Sequence, residues 1–577
     1  LPEPRHWGAH GVTVSLDHHL VLDDVSLTVA SGEIVAVVGG DGAGKTTLLR
    51  TLTGRVIPAR GTVRVPPPSD IGYQPATAGS WGALTVDENL DIVAGVYRLD
   101  PVSARERRER LLESAGLIDA RSRLASKLSG GMRQKLGFCM AMLHVPTLLV
   151  LDEPSTGVDP VSRVELWSLI TEAAAAGAAV VLSTSYLDEA ERVHDVLVLD
   201  AGRQLLRGTP AEVIAAAPGT VVAVTEPTVP ELAWRRGRSW HQWHAGSPQS
   251  EDRVVRTDME DAVVAAALAR RPVELLPPPM PAVTRSTATP GTVLARAENV
   301  QRSFGDARAV DDVTMQVESG EIVGLIGANG AGKTTLIRMQ LGLLLPTAGY
   351  VSLFGEAPTR AARRRLGYVP QGLGLYLDLT VAENLRFVAG AYGVDQALPV
   401  GLSDVMGELV STIGLGRQRQ LAFACALSHS PELLVLDEPT SGVDPITRAR
   451  LWDTIHDRAE AGVGVLVSTH YMQEAEQCDR LVLMDLGRVV AAGSVKDIVG
   501  NTTATQVDTD DWAAAFCALT DAGLPVTLAG ARVRAVDADA ALVGSVLRDA
   551  GLAGTVTIVP ATLDEKMAAI ARSRGRA

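Results

Sequence analysis

The chain has 577 residues, of which 46% are apolar and 21% charged, and carries a net charge of −14. Such a length exceeds what one hydrophobic core serves, so several domains are expected; the composition is that of a globular protein, and the acidic balance argues against general adhesion to nucleic acid, which needs a basic surface. The cysteines at 139, 425, 478 and 517 form no C-x-x-C pair, which argues against a zinc ribbon, an iron–sulfur cluster or a disulfide framework and fits a reducing cytosol.

No apolar run reaches the roughly 18–20 residues of a membrane span, and Leu1 to Gly11 lacks the charged-then-apolar layout of a signal peptide. The expectation is a chain that crosses no membrane. From the N-terminus, the Val/Ile-rich run Ile34–Val38 predicts a buried strand. It leads into Gly39-Gly40-Asp41-Gly42-Ala43-Gly44-Lys45-Thr46-Thr47, the G-x-x-x-x-G-K-T pattern of a phosphate-cradling P-loop. There, glycines let backbone N–H groups converge on the phosphates, the lysine reaches the β/γ-phosphates and the Thr46 hydroxyl ligates Mg²⁺.

Leu148–Leu151 predicts another buried strand, ending in Asp152-Glu153. Asp152 is placed to help hold the metal and Glu153 to polarise an attacking water. Val180–Leu182 predicts a third strand, so the segment alternates strands and helices in an α/β architecture. The stretch Pro272 to Pro290, with Pro277-Pro278-Pro279, reads as an extended, semi-rigid linker.

The pattern then returns. Lys45 recurs as Lys333, 288 positions on, within Gly327-Ala328-Asn329-Gly330-Ala331-Gly332-Lys333-Thr334-Thr335, with Thr334 the second metal-ligating hydroxyl. Asp23-Asp24-Val25 returns as Asp311-Asp312-Val313, Leu151-Asp152-Glu153-Pro154 as Leu436-Asp437-Glu438-Pro439, and Gly157-Val158-Asp159-Pro160 as Gly442-Val443-Asp444-Pro445. Matches along the whole segment make a duplicated domain. The boundaries read as a first ATPase domain at 8–215, an accessory segment and linker at 216–293, a second ATPase domain at 294–500, and a C-terminal accessory domain at 501–577. That last region includes the strand-like Leu524–Leu528 and helix-like Ala540–Leu547.

Leu128-Ser129-Gly130-Gly131-Met132-Arg133-Gln134, shortly before Asp152-Glu153, resembles the signature motif of ATP-binding-cassette ATPases. Ser183-Thr184-Ser185-Tyr186-Leu187-Asp188-Glu189-Ala190-Glu191 and Ser468-Thr469-His470-Tyr471-Met472-Gln473-Glu474-Ala475-Glu476, with the two Gly-Val-Asp-Pro segments, are similar to the tandem ATPase subunits of bacterial drug and cation exporters. The resemblance implies two P-loop ATPase domains of α/β fold that bind and hydrolyse ATP with Mg²⁺. It also implies intramolecular head-to-tail pairing, so that each ATP lies between one P-loop and the other cassette's signature. The partners it implies are separately encoded membrane permease subunits, and the location the cytoplasmic face of the inner membrane, bound peripherally. In that setting Ser129 offers a hydroxyl, while Gly130 and Gly131 let a helix N-terminus approach the γ-phosphate.

The two halves differ at the positions the family uses. Opposite the signature the second half reads Ile413-Gly414-Leu415-Gly416-Arg417, with no hydroxyl at Gly414 and a branched side chain at Leu415. Phe304, where the family stacks an aromatic on adenine, faces Leu16 in the first repeat. Gln371, the implied metal and water contact, has Ala76 in register and a glutamine two places early at Gln74. His470, implied to contact the γ-phosphate, is matched by Ser185. Head-to-tail pairing collects the losses in one site, around Lys45 and Glu153, and leaves the site around Lys333 and Glu438 complete. The expectation is one site that turns ATP over and one that mainly holds it.

Trp234-Arg235-Arg236-Gly237-Arg238-Ser239-Trp240 reads as a surface segment of the first accessory domain, and His241 with His244 lacks the further ligands a metal needs. Two rival functions share the tandem architecture. One is a ribosome-acting factor, disfavoured by the acidic charge and the proline-rich linker, with no nucleic-acid partner expected. The other is the ATPase of a nutrient importer.

Overall fold

Ile34–Val38 is a strand with all five residues buried, as expected of a strand covered on both faces. The computed structural model describes residues 6–246, 253–270, 289, 291–395 and 401–575; nearly all of the Pro272 to Pro290 linker lies outside them. The chain divides into two units, one of residues 1–217, 257–266 and 501–577 and the other of residues 218–256 and 267–500.

In the first unit a six-stranded sheet runs Ile71–Gln74, Leu148–Asp152, Ala179–Thr184, Ile34–Val38, Asp195–Asp200, Arg203–Gly208. The first five strands are parallel and the last antiparallel. The second unit repeats this as Leu366–Val369, Leu433–Asp437, Gly464–Ser468, Ile322–Gly327, Arg480–Asp485, Arg488–Gly493. Each unit also has a three-stranded antiparallel sheet, in the first His19–Ala30, His6–Leu16 and Arg60–Arg64. The hairpin turn at Asp17-His18 has both φ values positive, 47° and 67°, which matches the right-handed twist of its strands.

In both halves the strand ending in Asp152 or Asp437, the strand before Ser185 or His470, and the P-loop strand are neighbours. Their loops leave the same carboxyl ends of a parallel sheet, where such folds bind ligands. The repeated Val-Asp-Pro has a local reason. Asp159 and Asp444 accept the N–H groups of Ser162 and Thr447, each at 3.0 Å, and so cap helices Pro160–Ala175 and Pro445–Glu460, with proline at the first helical position where no N–H is needed.

The accessory domains are exchanged between the units. Residues 218–256 follow the first cassette in sequence but fold with the second. There Thr220–Val224, Ala233–Arg236, Ser239–His244 and Arg253–Val254 form an antiparallel sheet. Residues 501–577 follow the second cassette and fold with the first. Their helix Trp512–Asp521 supplies Phe516 and Leu519 to the core that contains Trp167 and Ile170 of the first cassette. The helical reading near Ala540–Leu547 is met by a helix Ala540–Asp549.

One expectation is corrected. The Trp234–Trp240 segment is a hairpin within the second unit, with Trp234 and Arg235 buried. Arg235 donates its backbone N–H to Asp453 at 2.8 Å and pairs with Glu460 and Asp457. The guanidinium of Arg450 donates to the carbonyls of Pro230 and Ala233 at 3.1 and 2.8 Å. Alternation puts Arg235 on the face that meets Asp457 and Glu460 of helix Pro445–Glu460, and Trp234 on the opposite face, which local composition does not reveal.

Candidate nucleotide sites

Each P-loop helix, Lys45–Leu52 and Lys333–Gln340, starts after a glycine in the left-handed region, Gly44 at φ 100° and Gly332 at φ 96°. A Cβ on Gly44 would lie 2.7 Å from Leu22 and one on Gly332 2.3 Å from the Ala309 carbonyl, so side chains are excluded by conformation and by space. Gly39, Gly42, Gly327 and Gly330 complete the two loops. Thr46 and Thr334 follow the lysines at the helix N-termini, with Thr47 and Thr335 next; these ends present free N–H groups to an anion.

In the first cassette, Lys45 Nζ donates to the carbonyls of Gly39 and Gly40 at 2.6 and 3.0 Å and lies 3.0 Å from Glu153 Oε1. Thr46 Oγ1 donates to Asp152 at 3.1 Å, and Ser183 Oγ to the same carboxylate oxygen at 2.8 Å. The other oxygen of Glu153 accepts from Thr156 Oγ1 at 2.8 Å and from the N–H and hydroxyl of Ser185 at 3.3 and 3.4 Å. Burial raises the Asp152 carboxyl, with hydrogen bonds from Ser183 and Thr46 pulling the other way.

In the second cassette, Lys333 Nζ donates to the carbonyls of Gly327 and Ala328 at 2.6 and 3.1 Å, and Thr334 Oγ1 to Asp437 at 3.3 Å. Gln371 Nε2 donates to Glu438 Oε2 at 2.9 Å, and His470 Nδ1 lies 3.4 Å from Glu438 Oε1. Burial alone would push the Glu438 carboxyl up. His470, Lys333 and Gln371 together outweigh it and hold the group below its ordinary value, so it is an anion at neutral pH.

Both Glu153 and Glu438 have positive φ, 48° and 52°, rare for a side-chain-bearing residue outside sites that over-determine it. Two serines absent from the expected set explain how the position is held. Ser183 and Ser468 donate to Asp152 and Asp437 and accept the N–H groups of Glu153 and Glu438 at 2.9 and 3.1 Å. Their recurrence in the two Ser-Thr segments was the available signal.

In each half, a threonine hydroxyl and an aspartate converge beside the P-loop: Thr46 with Asp152, Thr334 with Asp437. This hard oxygen donor set suits the Mg²⁺ that enters with ATP. Among the described residues there is no cluster of three or more His, Cys, Asp or Glu fit for a resident metal; His241 and His244 lie on one strand, Ser239–His244, paired with Ala223 and Thr220, and His244 Nε2 is 3.1 Å from Gln242 Nε2.

The differences between the halves have structural counterparts. Ser129 is exposed at the start of helix Gly130–Met142 and accepts the Met132 N–H at 3.2 Å. Helix Leu415–Leu427 begins at Gly414 with no side-chain cap. Gly131 packs where a Cβ would stand 2.6 Å from Ser162. Leu16 and Phe304 hold the same place, the last residue before the hairpin turn, and both are exposed. Gln74 is fully buried and bonded to Gln134 of the signature helix, so the early glutamine of the first half is a core residue.

The family described as ABC transporter matches residues 22–156 and 310–441. The chain is 37% identical over 521 residues to the "Probable multidrug ABC transporter ATP-binding protein YbhF" of Escherichia coli (strain K12), covering 82% of this chain and 90% of that one. It is 41% identical over 210 residues to the Nod factor export ATP-binding protein I of Burkholderia lata, covering 34% of this chain and 69% of that one. Among solved structures, the archaeal ribosome recycling factor aABCE1, in complex with the stalk protein aP1, is 19% identical with a TM-score of 0.58, over 85% of this chain and 91% of that one. At that identity the likeness shows the fold alone.

Proposed function

The chain belongs to the ABC transporter family of ATPases, with two ATP-binding cassettes in tandem, and on that premise we propose that it drives export of a drug or cation through separately encoded membrane permease subunits. One site turns ATP over and the other mainly retains it. The observation that carries the division is the surroundings of the two glutamates. Glu438 has the amide of Gln371 and the imidazole of His470 on its two oxygens, a set suited to orienting a water and its proton. Glu153 has Lys45, Thr156 and Ser185; the P-loop lysine acts on both acids, but no glutamine amide stands at Ala76.

With the cassettes closed head to tail, Lys333, Glu438 and the Ser129 signature serve one ATP with its Mg²⁺, and Lys45, Glu153 and Leu415 serve the other. In the complete site Glu438 accepts the proton of the attacking water, while Lys333 and the P-loop N–H groups stabilise the charge on the phosphoryl oxygens. No described helix is long and apolar enough to cross a membrane; the likeness to transporter ATP-binding proteins supports a peripheral place on the cytoplasmic face, on the permease.

Fractionation of cells with and without the permease subunits tests this. Membrane attachment that appears only with the permease supports it. Sedimentation with ribosomes, or indifference to the permease, refutes it. Mixed single-turnover ATP labelling of the assembled complex then tests the division of labour between the sites.

A further inference from the structure

Helix Leu563–Gly575 of the C-terminal domain packs on helix Pro160–Ala175 of the first cassette. Asp564, almost fully buried, receives two cations there. Both its oxygens accept from Arg163 Nη2 at 2.9 and 3.0 Å, and one accepts from Arg192 Nη2 at 2.8 Å. Arg163 is completely buried, one turn into the helix capped by Asp159, and Arg192 follows the short helix Leu187–Ala190 after Ser185.

The two arginines lead to the first nucleotide site. The Arg163 guanidinium lies over the Tyr186 ring at 5.1 Å, and Arg192 over Trp167 at 5.9 Å. Trp167 Nε1 donates to Glu189 at 2.9 Å, and Glu189 also takes the hydroxyls of Ser155 and Thr184 at 2.9 and 2.6 Å. Tyr186 adjoins Ser185, which donates to Glu153. Asp188 also faces both arginines, 3.6 Å from Arg163 and 3.7 Å from Arg192, and Glu189 acts on Arg163 too, so Asp564 is the nearest counter-charge rather than the sole one. Removing Asp564 takes from both arginines their nearest counter-charge and the hydrogen bonds that join them, in a site with little water.

We propose that Asp564 is a positioning residue for nucleotide binding at the first P-loop: by joining Arg163 and Arg192 it fixes the Ser185–Arg192 segment and the Glu153 carboxylate that faces Lys45. The domain encoded after the second cassette thereby sets the affinity of the first. This requires only that the first cassette bind ATP, and it stands whether that site retains or hydrolyses it.

The test uses the full chain with binding confined to one P-loop, to the first in a Lys333→Ala background and to the second in a Lys45→Ala background, with a fluorescent ATP analogue as probe. Asp564→Asn lowers affinity at the first P-loop about tenfold, or about 1.4 kcal/mol, and speeds amide exchange over 183–192. Asp564→Glu restores most of the affinity, and the second P-loop is unchanged. Unaltered affinity at the first P-loop, or equal loss at both, overturns the proposal. Should Asp564→Asn fail to fold, Arg192→Gln, at the rim of the cluster, is measured in the same two backgrounds: a selective loss at the first P-loop supports the proposal and any other pattern rejects it.

Discussion

Lys45 Nζ lies 3.0 Å from Glu153 Oε1, so in the first cassette the phosphate-binding cation and the acid that follows strand Leu148–Asp152 form an ion pair. In the second, the corresponding acid, Glu438, also feels the charge of Lys333 and in addition accepts from Gln371 and faces His470. Two carboxylates at equivalent positions thus meet different chemistry.

Glu438→Gln is expected to lower ATP turnover by on the order of 10²–10⁴, the usual contribution of a positioned base. Glu153→Gln is expected to cost much less. Steady-state ATPase activity of the complex reconstituted with its permease measures both, with folding checked by circular dichroism. Equal losses would leave a symmetric pair of sites.

The two lysines are expected to separate binding from turnover. Lys45→Ala weakens nucleotide retention and cassette closure, while Lys333→Ala also stops hydrolysis, because phosphoryl transfer depends on positioning and charge stabilisation. Filter retention of labelled ATP beside phosphate release distinguishes the outcomes. Hydrolysis persisting in Lys333→Ala at the wild-type rate contradicts the assignment.

Exchange of the accessory domains predicts that the two halves stay together after the connection is cut. A protease site placed at Pro277–Pro279 leaves residues 218–256 in the N-terminal fragment, though they fold with the second cassette, and 501–577 in the C-terminal fragment, though they fold with the first. After cleavage without ATP the fragments should co-elute in gel filtration. Free separation of the halves at micromolar concentration argues against the exchange.

Burial pushes the Asp453 carboxyl up to about 6, against the pull of Arg450 and the Arg235 N–H. A carboxyl raised in the folded chain holds its proton more tightly there, so its contribution to stability is fully present below the unfolded value of roughly 4 and is lost as pH rises through the folded one. Asp453→Asn carries no such dependence. Between pH 4 and 7 the stability of the wild type relative to Asp453→Asn should fall by about 2 kcal/mol, read from urea midpoints. A pH-independent difference would show that the docked acid stays ionised throughout.

The sequence by itself determined the nucleotide chemistry and its duplication. Glycines at fixed spacing before Lys45 and Lys333, apolar strands ending in Asp152-Glu153 and Asp437-Glu438, and the unequal residues Ser129/Gly414, Leu16/Phe304 and Ser185/His470 are short-range patterns, since a P-loop and a buried parallel strand are built from consecutive residues. Tertiary structure alone decided where separately folded pieces meet. Asp564 reaches Arg163 across 401 residues, and Arg235 reaches Glu460 across 225. Closing such long loops costs little more than closing short ones, so sequence distance gives no hint of the pairing. Nor does residue type: Arg163, Arg235 and Asp564 look like surface charges until docking removes their water. The same holds for Gln74, which is turned into the core against Gln134 by the register of its strand. Alternation sets which face a side chain takes, but only the packed neighbours decide whether that face is site or core.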